Sequence, residues 1–101
     1  MNIREYLLTQ LSEECSEIAQ MCGKSQRFGL REVYDNTLAN PERHDNLERL
    51  IGEINDFFGV LLFMQRIGIL PKNIHRRKLI KAKVDKIGKY MRYAQKLKTL
   101  Q

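Results

Sequence analysis

Apolar positions recur with a helical period over three stretches of the chain. Ile3, Leu7, Leu11, Cys15, Ile18 and Cys22 follow one another at three- and four-residue intervals, and Asn2 with Glu5 supplies an N-cap and its reciprocal acid. This pattern predicts a first helix from Ile3 to Cys22, with Gly23 as its stop. The stretch from Ser25 to Asn40, which holds Gly29, Asn36 and the start of the Asn40-Pro41 pair, reads as a loop with room for one helical turn. A second long helix begins either at Asn40-Pro41 or at Asp45, where Glu48 would complete a capping box, and Gly68 with Pro71 ends it. Asn73 caps a third helix, in which Ile80, Val84, Ile87, Met91 and Ala94 make one apolar stripe among lysines and arginines. No segment alternates with period two, so the predicted fold class is all-α without a sheet.

Length and composition fit one domain spanning residues 1–101. A chain of 101 residues buries only about two-thirds of its unfolded surface, so the core is modest and a partner subunit would add to it. With 43% apolar and 30% charged residues the composition is that of a folding globular protein. Cys15 and Cys22 are too far apart along one helix for a disulfide and lack zinc-site spacing, which reads as two buried thiols. The N-terminus has no apolar signal core, and the longest apolar run, Phe57 to Met64, is far too short to span a bilayer, so a reducing cytoplasm is the expected location and no membrane is expected.

The formal charge of +6 is unevenly placed. Residues 72–101 hold 11 of the 18 Lys and Arg residues and a single acid, Asp85, whereas residues 1–71 hold the other 11 of the 12 acids. An acidic body therefore precedes a basic terminal helix.

Within that acidic body, four carboxylates stand where apolar side chains belong. At about 100° per residue, Glu14 falls in the middle of the first helix's apolar face, between Leu7, Leu11, Ile18 and Met21, and Glu17 lies at its edge one turn later. On the second helix Glu53 points along Leu50, Phe57, Val60 and Met64, with Asp56 again one turn on. Glu-x-x-Glu recurs on many exposed helices, so either pair alone marks only a solvated face, and a salt-bridge network with the terminal lysines is the plainest structural alternative. Two pairs that break two apolar stripes at the same phase are harder to explain that way. Unpaired carboxylates in a low-dielectric interior cost several kcal/mol, and two antiparallel helices can converge four of them into a hard oxygen cage suited to Mg²⁺ or Mn²⁺. Zinc is disfavoured by the lack of His or Cys ligands nearby.

These residues also carry a family resemblance. Glu13-Glu14-Cys15-Ser16-Glu17 fits the Glu-Glu-x-x-Glu motif, and Glu53-Ile54-Asn55-Asp56 the Glu-x-x-Asp motif, of MazG-like all-α NTP pyrophosphatases. The segments LSEECSEIAQ (Leu11 to Gln20), KSQRFG (Lys24 to Gly29) and NLERLIGEIND (Asn46 to Asp56) also resemble the family, across most of the first seventy residues. The lysine-rich terminal helix is similar to that of small phage and bacterial members, while the connection between the motifs is longer than in the most compact ones.

The resemblance implies an antiparallel helical bundle completed by oligomerisation, and Mg²⁺-dependent hydrolysis of an NTP or dNTP to the monophosphate and pyrophosphate. It implies that Glu14, Glu17, Glu53 and Asp56 bind the metal, with Glu13 in a supporting or base-assisting role. Lys24 and Arg27 after the first helix, Asn46 and Arg49 before the second motif, and Lys81, Lys83 and Lys86 on the third helix are the basic and polar candidates for the nucleotide; any one of these lysines taken singly also serves as a solvated surface charge. Tyr90 and Phe28 are suited either to stacking on a base or to packing, and Phe57, Phe58 and Phe63 to the core. Leu61, Leu62 and Phe63 extend the apolar surface around the second helix, as in a homodimer or homotetramer. His44 and His75 lie outside the carboxylate set and receive no catalytic role. Two rival readings remain: a basic helical module that binds nucleic-acid phosphates through Arg76, Arg77, Lys78 and Lys81, although no recognised nucleic-acid motif is present, and a non-catalytic interaction protein whose acids pair with a partner's lysines.

Overall fold

The computed structural model describes residues 1–101 and is all-helical, with three helices and one isolated β-bridge, between Val33 and Asp45. The chain forms two compact units, Met1–Leu70 and Pro71–Gln101. No helix is long and apolar enough to cross a membrane.

In the first unit, α1 spans Ile3–Phe28 and opens on the expected capping box. The Glu5 backbone N–H donates to the Asn2 side chain at 2.8 Å, and the Glu5 carboxylate accepts from the Asn2 backbone at 3.3 Å. Gly23 does not stop the helix, which runs a further turn and a half, so Ser25 to Phe28 are helical rather than part of a loop. An interior glycine costs about 1 kcal/mol relative to alanine, which the good helix formers around it offset. The stop is Gly29, whose φ of 98° suits glycine and whose N–H bonds the Ser25 carbonyl at 2.8 Å.

The connection from 29 to 45 is ordered by asparagines. Asn40, buried at 4% exposure, donates to the Tyr34 and His44 carbonyls (2.9 and 2.8 Å) and accepts from the His44 N–H (3.0 Å). Asn46 bonds the Gly29 carbonyl through its side chain at 2.9 Å, and the Leu47 N–H reaches Leu30 at 2.8 Å. These bonds tie the end of α1 to the beginning of α2, so the two helices pack as an antiparallel hairpin.

Helix α2 spans Asn46–Arg66. Of the two candidate starts, Asp45 is the cap, and its carboxylate accepts the Glu48 N–H at 2.9 Å. Gly68, with φ of 84°, follows its end. Leu7, Met21 and Met64 form the buried apolar core, with Met64 fully enclosed. Ile51, Phe58, Leu62 and Phe63 on α2 remain exposed. Cys15 and Cys22 are free and exposed, not buried as the apolar spacing predicts, because they sit away from the line along which α1 meets α2.

In the second unit, α3 spans Arg77–Lys96, four residues beyond the predicted cap. Asn73 does not cap it: its carbonyl accepts the Arg76 guanidinium at 2.9 Å, and Arg76 occupies the cap position without a side-chain bond. The predicted stripe is present, but Ile80, Val84, Ile87 and Met91 are exposed along it.

Candidate metal centre

The helical hairpin brings Glu14 and Glu17 of α1 against Glu53 and Asp56 of α2. One carboxylate oxygen from each lies within 4.8 Å of those of the other three. Glu14 and Glu53, central in their stripes, are half-buried, and Glu17 and Asp56 are exposed at the rim. The i, i+3 spacing within each pair places both side chains on the face that meets the other helix.

No basic side chain pairs with any of the four. One oxygen each of Glu14 and Glu53 is buried without a hydrogen-bond partner, as is the Ser25 hydroxyl farther along α1. Burial raises the Glu14 carboxyl above its ordinary value, and the charges of Glu17, Asp56 and Glu13 add to the rise. Burial likewise pushes Glu53 up to about 7, helped by hydrogen bonding with Glu17 and by the charges of Glu17, Asp56 and Glu14. Four converging carboxylates, two of them with an orphaned oxygen and a raised proton affinity, are a donor set that a hard divalent cation would satisfy.

Glu13 is exposed and outside the set, although its charge reaches Glu14. Lys24, Arg27, Asn46 and Arg49 all line one pocket of about 690 Å³, together with Phe28 and Tyr34. The Arg27 guanidinium lies 5.3 Å from the Phe28 ring centroid and that of Arg49 lies 5.6 Å from Tyr34. A second pocket, of about 300 Å³, shares Ala39 and Arg49 with the first and is lined by Glu53, Asp56 and His44. Lys81, Lys83, Lys86 and Tyr90 belong to the second unit. There Lys81 pairs with Asp85 at 2.9 Å, and Lys83, Lys86 and Tyr90 line a groove with Ile87 and Met91.

Two residues at these pockets escape a reading by pattern. Tyr34 and His44 sit in the connection, where no periodicity assigns a direction, and only the asparagine-rich text around them marks the segment as structured. No family model, curated protein or solved structure matches the chain.

Proposed function

We propose that the hairpin is the active centre of a metal-dependent nucleoside triphosphate pyrophosphohydrolase of the MazG-like kind. The observation that carries this reading is the convergence of Glu14, Glu17, Glu53 and Asp56, with one buried oxygen each on Glu14 and Glu53 that has no hydrogen-bond partner. A bound Mg²⁺ or Mn²⁺ would neutralise the triphosphate and polarise the attacking water. Glu14 and Glu53 would hold such a cation from the half-buried side and Glu17 and Asp56 from the rim. One of these carboxylates also accepts the water's proton as it attacks the α-phosphorus, with Glu13 adding negative potential beside Glu14. The adjoining pocket supports a nucleotide: Phe28 and Tyr34 offer flat faces for a base, and Lys24, Arg27 and Arg49 offer charge to phosphate oxygens.

The exposed apolar residues of α2 favour a homodimer or homotetramer in which the helical bundle is completed. The test is incubation with each NTP and dNTP in Mg²⁺. Pyrophosphate with the matching monophosphate is expected; release of inorganic phosphate alone, or no turnover with any nucleotide, overturns the reading.

A further inference from the structure

We propose that His44, braced by Glu42, is the side chain that takes the pyrophosphate end of the substrate as it leaves; this rests on the triphosphate reading of the carboxylate centre. The two pockets of the first unit give the substrate a direction. Flat aromatic faces, Phe28 and Tyr34, are confined to the larger pocket, which suits the base. Arg49 and Ala39 border both pockets, and the smaller one is where Glu53 and Asp56 meet His44. A nucleotide with its base in the larger pocket extends its phosphates past Arg49 to the carboxylates, and the β- and γ-phosphates continue toward His44.

The imidazole is held for this role from two sides. Its Nε2 lies 2.6 Å from the Glu42 carboxylate, which accepts a hydrogen bond from Nε2–H, and an imidazolium held in this way keeps its second donor, Nδ1–H, for a ligand. Its backbone is clamped by the buried Asn40, which accepts from the His44 N–H and donates to the His44 carbonyl. The charged groups that share the pocket with the ring are Glu42, Arg49, Glu53 and Asp56. With the two acids of the centre committed to a cation, Arg49 and His44 are the donors left facing a polyphosphate. In the reaction a bond forms between the water oxygen and the α-phosphorus while the bond to the bridging oxygen breaks. The electron pair stays on the β-phosphate, whose oxygens accept from Nδ1–H, and the water's proton passes to a carboxylate of the centre and then to solvent.

The test uses the full chain, inorganic pyrophosphate with Mg²⁺, and the His44 ring resonances, assigned by their loss in H44Q. Pyrophosphate should shift the His44 ring signals. H44Q should weaken pyrophosphate about tenfold or more while keeping its far-UV circular dichroism and its Mn²⁺ affinity, and E42Q should weaken it less. Equal pyrophosphate affinity in H44Q and wild type, or unmoved His44 signals in a wild-type protein that binds pyrophosphate, overturns the role of His44 while leaving the metal centre standing. A wild-type protein that binds neither Mn²⁺ nor pyrophosphate overturns the metal centre and this inference with it.

Discussion

The α1–α2 hairpin and the terminal helix α3 each gather charges of one sign, but in different settings. On α3 the lysines and arginines point into water, spaced around a helix whose single acid pairs with Lys81 at 2.9 Å across one turn. Water and salt screen such charges, and their mutual repulsion is small. In the hairpin only four carboxylates converge, but two of them lie in the seam between packed helices, with one oxygen of each removed from solvent. Position rather than number makes a charge cluster unfavourable by itself, and a cluster that is unfavourable by itself is one that a ligand of opposite charge can stabilise.

Removing the central acid tests that contrast most sharply. Glu53→Gln should cut kcat for triphosphate hydrolysis by at least about a hundredfold and raise the Tm of the metal-free protein, because it relieves repulsion while retaining shape. Full activity in this variant would place the chemistry elsewhere. The pH dependence of stability follows next. Glu53 is raised from 4.5 to about 7, so the folded chain holds more protons than the unfolded one in that interval. The metal-free Tm should therefore fall as pH rises from about 4.5 through about 7, and saturating Mg²⁺ or Mn²⁺ should flatten or reverse the fall. A Tm that rises over this range without metal would contradict the elevated proton affinity. Asp45→Ala removes the cap of α2 and should cost about 1 kcal/mol, or roughly 4–8 °C in Tm, in thermal melts. At the small end, Lys81→Ala breaks the exposed pair with Asp85 and should move Tm by no more than about 1–2 °C, a difference erased by high salt.

The phase of Glu14 and Glu53 was readable in the chain because helical period fixes direction, and packing then needed only to bring two apolar faces together. The Asn2–Glu5 cap was readable for the same local reason. Gly23 was misleading because a glycine both tolerates and terminates helices, and the choice between it and Gly29 depends on where the chain must turn back to meet Asn46. The connection was opaque because its order comes from bonds across many residues, Asn46 to Gly29 and Leu47 to Leu30. Tyr34 and His44 take their places from those bonds. The spacing of Cys15 and Cys22 predicts burial, but spacing cannot tell the seam of a two-helix hairpin from the wider stripe around it.

The exposure of those two thiols gives the molecule a built-in ruler. They are the only cysteines, they are unpaired, and two turns of α1 separate them, about 10 Å along the axis. Cys15 adjoins Glu14 in sequence, while Cys22 lies more than a turn beyond Glu17. A nitroxide or fluorophore attached to each in turn, with the other cysteine replaced by serine, would therefore sense a paramagnetic Mn²⁺ at unequal range. The ratio of the two signals would locate the ion along the helix without any change to the carboxylates themselves.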